Sequence, residues 1–120
     1  MKTYFVSGHL TISNEEFETH YVPLLEAALA EGATFVVGDA WGVDARAQVW
    51  IKEHGATAIV FHAYGQPRNN AGFPTRHGFD SQGAKDAAMT DASDEDIAWV
   101  RPGREDSGTA RNIAKRLKKR

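Results

Sequence analysis

An α/β fold is what the sequence predicts, as a Rossmann-like three-layer sandwich with a mainly parallel sheet of four to five strands. Short, nearly all-apolar segments of strand length alternate with segments of helical periodicity, which is typical of parallel strands joined by right-handed crossovers. Each apolar segment also runs into glycine or small polar residues. The four predicted strands cover residues 3–7, 34–37, 57–61 and 96–100.

The first helix is predicted from its start signal and its apolar stripe. Ser13 followed by Glu16 has the spacing of a capping box, in which each residue bonds to the backbone beside the other. The apolar positions that follow extend to Gly32. Pro23 lies well inside this segment and lacks the N–H that a helix interior requires, so we expect a kink or a break near residues 20–23.

Three further helices are expected. One spans residues 43–54 and is closed by Gly55, and one covers residues 84–92. The last starts near Gly108 and carries Ala110, Ile113, Ala114 and Leu117 on one face. The helices would cover both faces of the sheet.

Length and composition predict one domain over residues 1–120. The 120 residues are 42% hydrophobic and 25% charged, and they contain no cysteine, which excludes disulfides and thiolate metal sites. No leader or membrane-length apolar run is evident, and a cytoplasmic protein is expected.

The charge is distributed unevenly. Residues 111–120 carry six basic side chains, so residues 1–110 hold 8 basic and 16 acidic ones. An acidic body repels a nucleic-acid backbone, and cations at a helix C-terminus are favourable with the helix dipole. Nucleic acid is therefore an unlikely partner.

Ligands of parallel α/β sheets collect beyond the carboxyl ends of the strands, which directs attention to the loops there. In the loop 38–44, Gly38 and Gly42 allow close approach of a ligand, and Asp44 is placed to cap the next helix. Asp39 would point into the cleft and accept hydrogen bonds from ribose hydroxyls. Trp41 is either a stacking face or a packing residue.

Two other loops predict an anion site. Gly108 and Thr109 at a helix start offer backbone N–H groups, a hydroxyl and the helix dipole, although Ser107 or Thr109 could simply cap the helix. Ser7, Gly8 and Thr11 would lie beside them if the first and last strands are neighbours.

The long loop 62–82 combines aromatic residues with Arg68 and Arg76, and is either a lid over a nucleotide or a mobile surface loop. The five histidines show no HxH or HExxH spacing, so neither a metal site nor a cofactor is predicted.

Taken in order, these motifs resemble the SLOG superfamily, the Rossmann-like group that includes the lonely-guy phosphoribohydrolases and the DprA domain, and most of all its small YspA-like members. The resemblance lies in four elements that cover nearly the whole chain: Ser7-Gly8, the Gly-x-Ala-x-Gly-x-Asp loop 38–44 followed by Ala47, the segment Lys85–Met89 in place of Arg-Asn-x-x-Met, and Gly108-Thr109. It implies a nucleotide-derived ligand and, for some members, cleavage of the N-glycosidic bond.

The chain departs from this pattern at positions that matter for chemistry. Asn112 stands where the hydrolytic branch has a catalytic glutamate, and an amide cannot serve as nucleophile or general base. Lys85 replaces the arginine and keeps only its charge. His9 replaces a basic residue that often follows the first turn. Asp39, Glu105 or Asp106 could supply the missing carboxylate.

Three functions follow as hypotheses. The first is a nucleotide-binding sensor or regulatory module without hydrolytic chemistry. The second is an N-glycosidase or phosphoribohydrolase with Asp39 as a relocated catalytic carboxylate. The third is a partner-binding domain with a vestigial cleft. Apolar helix faces left over beside so small a sheet favour a homodimer in each case.

Overall fold

A computed structural model describes residues 1–119, with the side chain of Lys119 excepted. The strands are β1 Thr3–Val6, β2 Thr34–Gly38, β3 Ala58–Phe61, β4 Thr75–Arg76 and β5 Glu95–Ile97. The helices are α1 Asn14–His20, α2 Val22–Ala30, α3 Val43–Glu53, α4 Gln82–Asp91 and α5 Gly108–Lys119.

All five strands form one parallel sheet in the order β4-β3-β2-β1-β5. The predicted α/β class is therefore confirmed. Because β1 lies between β2 and β5, the first and last strands are neighbours, and their carboxyl ends meet at one edge of the sheet. The order reverses at β1, and this reversal creates the crevice in which ligands of such sheets bind.

The sheet differs from the prediction at its two edges. The two-residue strand β4 lies inside the long loop and escaped prediction because Thr75 and Arg76 are both exposed and carry no apolar signal. The last strand ends at Ile97 rather than at residue 100. Beyond it, the backbone N–H of Trp99 donates to the Tyr21 hydroxyl at 3.1 Å, so the chain has left the sheet.

The break in the first helical segment is confirmed and has a structural use. The capping box is present, with Glu16 N and the Ser13 hydroxyl 3.0 Å apart. Tyr21 separates α1 from α2 and is fully buried. Its hydroxyl donates to the Ser7 carbonyl at 2.8 Å while accepting from Trp99, so one side chain joins the loops that follow β1 and β5.

Apolar side chains form a cluster on each face of the sheet. The larger cluster packs Val6, Val37 and Val60 against α1, α2 and α3, and the smaller one packs Phe5 and Phe61 against Met89 of α4. The two clusters alternate along each strand, as expected for a sheet covered on both faces.

Helix α5 starts at Gly108, as predicted, but its buried residues are the polar Thr109, Asn112 and Arg116, whereas Leu117 is 65% exposed. The Arg116 guanidinium donates to Asp96 at 2.9 Å and to the Ser93 carbonyl at 3.0 Å. Arg116, one of the six basic residues of the C-terminal segment, thus forms a buried ion pair with Asp96. Arg120 lies outside the described residues.

Between residues 1 and 119, no helix combines the length and the apolar character that crossing a membrane requires.

Candidate functional site

A cleft of about 230 Å³ opens at the carboxyl edge of β1 and β2, between α4 and α5. Eight of the predicted site residues line it: Ser7, Gly8, Gly38, Asp44, Lys85, Gly108, Thr109 and Asn112. The loops that sequence analysis singled out therefore meet at one place. The cleft is also lined by Leu10, Arg68, Asp86 and Met89.

The turn after β1 contributes a hydroxyl without a partner. Ser7 is 7% exposed, and its Oγ has no hydrogen-bond partner among the described residues. Its backbone N–H is used, donating to the Ile97 carbonyl at 3.1 Å. A buried hydroxyl is ordinarily satisfied, and this one has no partner among the described residues.

Gly8 keeps this turn narrow. A Cβ at Gly8 would clash with the Tyr21 hydroxyl and with the side chain of Val43. The glycine therefore allows the wall of the cleft to pack directly against Tyr21 and the start of α3.

The start of α5 contributes backbone donors. Ser107 caps the helix, since its hydroxyl accepts from Ala110 N at 3.2 Å. The N–H groups of Gly108 and Thr109 find no acceptor within residues 1–119, and the same is true of the Thr109 hydroxyl. The segment was predicted either to cap α5 or to bind an anion. Ser107 provides the cap, and Thr109 lines the cleft with its hydroxyl free of hydrogen bonds among the described residues.

The loop between β2 and α3 contributes Asp44. The residue does not cap α3, whose N-cap is Gly42 without a side-chain bond. Asp44 Oδ2 instead accepts from the Ala40 N–H at 3.2 Å, across the loop. A Cβ at Gly38 would lie 2.5 Å from this oxygen and 3.3 Å from Lys85 Nζ, so glycine gives both charged groups access to the cleft.

Burial raises the pKa of Asp44 to about 7, with smaller contributions from the negative charges of Asp86 and Asp39. The charge of Lys85 and the Ala40 N–H act in the opposite direction without cancelling the effect. Asp44 is thus a carboxyl that changes protonation near neutral pH inside the cleft.

Asp39 is placed differently from the expectation that it would face a ligand. Its side chain is 4% exposed, and Arg68 takes both carboxylate oxygens, with Nη2 2.8 Å from Oδ1 and the backbone N 2.9 Å from Oδ2. Burial alone would raise the pKa of Asp39, but the bonds from Arg68 and the charge of Lys85 hold it below its ordinary value. The carboxylate remains ionised and does not line the cleft.

Four other predicted residues also lie outside the cleft lining. His9 Nε2 accepts from the Arg101 N–H at 2.8 Å, and burial together with the charges of Arg101 and Arg104 lowers the pKa of His9. The Thr11 carbonyl accepts from Arg101 as well. Trp41 is 65% exposed, and Gly42 packs against the backbone of His9 and Leu10.

Lys85 is the buried cation of the site. It is 5% exposed, and its Nζ lies 3.7 Å from Asp86 Oδ1 and 3.9 Å from Asp39 Oδ1. Asp86 was not among the predicted site residues, although its position directly after Lys85 on α4 brings it to the same cleft.

Gln48 is a supporting residue that sequence reasoning missed. It is fully buried, donates to the Gly38 carbonyl at 2.8 Å, and accepts from Ala71 N at 2.9 Å. It ties the long loop to the end of β2. Gln48 lies among the apolar buried residues of α3, and this polar residue was the sequence feature that could have indicated its role.

Among the described residues, no group of three or more histidine, aspartate and glutamate side chains is close enough to hold a metal ion. The donors of the cleft suit an anion and hydroxyl groups instead. Comparisons of the chain with protein-family models, with curated proteins and with solved structures found no match.

Proposed function

We propose that this protein binds a nucleotide or nucleotide-derived ligand through its ribosyl phosphate, as a sensor or regulatory module. The observation that carries the proposal is the buried Ser7 hydroxyl, which has no partner within residues 1–119 and lines the same cleft as the backbone N–H groups at the start of α5. Backbone donors at a helix N-terminus bind phosphate well, and a hydroxyl beside them adds a further bond. This is also the ligand class that the resemblance to SLOG proteins implies.

The charged and donor groups of the cleft suggest where each part of the ligand binds. The phosphate belongs at Gly108, Thr109 and Ser7, where the lining groups are donors. The carboxyl groups of Asp44 and Asp86 lie on the other part of the wall and suit ribose hydroxyls, which donate to carboxylates. Lys85, 3.7 Å from Asp86 and close enough to lower the pKa of Asp44, offsets part of their negative charge.

The volume favours the sugar and its phosphate over a whole dinucleotide. A typical small-molecule pocket measures about 300–1,000 Å³, whereas this cleft measures about 230 Å³. The base would then extend past the rim, where Leu10 is 66% exposed.

The alternative function, N-glycosidic bond hydrolysis, is favoured by one specific observation. Asp44 holds its proton to about pH 7 and lines the cleft, as a general acid for a leaving base would. Asp39, the carboxylate first considered for this role, is held by Arg68. Under this alternative, Asp44 rather than Asp39 is the catalytic carboxyl group that replaces the missing glutamate.

The test is calorimetric titration with AMP, ADP-ribose and NAD, comparing the wild type with Ser7→Ala. Removing a buried hydroxyl that has no partner in the described part of the chain should leave stability unchanged or raise it, while the affinity should fall about tenfold. Thr90→Val is the matched control: Thr90 Oγ1 is also buried and unpartnered among the described residues, but it does not line the cleft. It should bind as the wild type does.

Chromatography of the same mixtures separates the hypotheses. Binding without release of free base supports the sensor. Release that Asp44→Asn abolishes and Asp39→Asn retains supports the hydrolase. If none of the three ligands binds, the nucleotide proposal is wrong and the partner-binding domain is the reading that survives.

A further inference from the structure

A second cavity, of about 470 Å³, lies at the other end of the same sheet edge and shares no residue with the cleft. It is walled by the long loop after β3, and its lining includes His62 and His77. Neither histidine has a role in the function proposed above.

The parallel register places the two imidazoles side by side. Phe61 of β3 pairs with Arg76 of β4, so the next residues, His62 and His77, are neighbours across the strands. The backbone N–H of His62 donates to the Arg76 carbonyl at 3.0 Å, so the β3–β4 hydrogen bonding extends as far as His62. The ring centroids are 5.4 Å apart, with the ring planes tilted by 30°.

Both rings lack partners within the described part of the chain. His62 is 4% exposed, and its Nδ1 is buried without a hydrogen bond. No hydrogen bond or ion pair of the His77 side chain occurs within residues 1–119 either. A buried imidazole nitrogen without a partner is costly, which indicates that something else satisfies it.

The neighbouring cation is turned away from the pair. Arg76 directly precedes His77 in β4, but its guanidinium stacks over the Phe61 ring, 4.9 Å from the ring centroid. Side chains alternate between the faces of a sheet, so Arg76 and the imidazoles occupy opposite faces. The face with the imidazoles is therefore not occupied by the Arg76 charge.

We propose that His62 and His77 bind one divalent transition-metal ion, such as Zn²⁺ or Ni²⁺, in this second cavity. Neutral imidazole is the side chain these ions prefer, and two rings at this separation can share one ion between them. With two protein ligands, the remaining coordination positions are open to water or to an anion that enters the cavity. The sequence spacing hid this pair, because its two members are 15 positions apart and only the β3–β4 register joins them.

The test is titration of the full chain with ZnCl₂ and, separately, NiCl₂, followed by calorimetry. One ion should bind per chain, and His77→Ala should lower the affinity by more than about tenfold. His77 is exposed, so this variant should fold. His54→Ala is the matched control, because His54 is also exposed and contacts Trp50 outside the cavity.

Nuclear magnetic resonance of the wild type tests the role of the buried His62 without a substitution that could prevent folding. Chemical shifts of the ring protons of His62 and His77 should move on adding Zn²⁺, whereas those of His54 should not. Equal loss of affinity in His77→Ala and His54→Ala would mean unspecific binding by surface histidines and would overturn the proposal. Absence of any bound ion at millimolar metal would overturn it as well.

Discussion

Asp44 shows how one side chain can make stability depend on pH near neutrality. Its pKa is about 7 in the folded protein, against an ordinary value of 3.8. The folded state therefore holds a proton that the unfolded chain has released. The groups that face Asp44 are Lys85 and Asp86 on α4, and Asp39 and the Ala40 N–H on its own loop.

The sign of the effect follows from the raised pKa. Below about pH 3 both states are protonated, and Asp44 costs nothing. As the pH rises from about 4 to about 7, the unfolded state gains from ionisation and the free energy of unfolding falls, by at most about 4 kcal/mol. Above pH 7 the loss is complete.

Asp44→Asn should remove this dependence. Asparagine keeps an oxygen for the Ala40 N–H but carries no charge, so the variant should be more stable than the wild type at pH 8, by about 1–4 kcal/mol, and equally stable at about pH 3. Urea unfolding at both pH values measures this. The exposed Asp80→Asn is the control, and a variant whose stability changes with pH as steeply as the wild type would contradict the assignment.

At the scale of the element, the loop 38–44 depends on the backbone conformation of one glycine. Gly42 has φ +78°, and a Cβ there would collide with the backbone carbonyl of His9 and with Leu10. The Val43 N–H donates to the same His9 carbonyl at 3.1 Å, which joins the start of α3 to the turn after β1. Two walls of the cleft are therefore held together at this point.

Gly42→Ala should destabilise the protein by about 3 kcal/mol or more, because backbone strain and a collision with main-chain atoms add. Gly55→Ala is the matched control: its φ is +70°, but a Cβ there would meet nothing within 4 Å. It should cost about 1 kcal/mol from the strain alone. Similar losses in the two variants, measured by urea unfolding, would show that the contact with the His9 backbone is unimportant.

The elements also show what the sequence could and could not predict. Helix starts and the central strands were predictable, because Ser13 with Glu16, Pro23 and the apolar runs act locally. The edge strand β4 was not, since exposed residues such as Thr75 carry no pattern. Strand β5 was predicted, but at residues 96–100 instead of Glu95–Ile97. The buried face of α5 was missed because Arg116 is buried by a partner, Asp96, that lies 20 residues away in the chain.

The same division holds for the site. Glycines and small polar residues after strands indicated where the cleft lies, because parallel strands bring their carboxyl ends to one edge. The partner of Asp39 could not be read from spacing, since Arg68 arrives from a loop 29 residues later. Asp39 is thus bonded to Arg68 of that loop, a contact that the sequence does not indicate.

For the whole molecule, the exposed Leu117 on α5 bears on the expected homodimer. Leu117 and Ile113 lie beside the edge strand β5, in a shallow depression that also contains Glu95. If two copies associate through this surface, light scattering should give twice the mass of one chain, and Leu117→Glu should halve it. Leu24→Glu, on the exposed side of α2, should leave the mass unchanged. A wild type with the mass of one chain would contradict the dimer.

The position of β1 in the sheet has a consequence for biosynthesis. One of its neighbours, β2, follows about 30 residues later, but the other, β5, is reached only after about 90 residues. A ribosome that has produced two thirds of the chain presents a β1 whose second side has nothing to pair with. Such an unpaired strand edge is prone to aggregation until β5 has formed, and the cleft is complete only when its last wall, α5, has been synthesised.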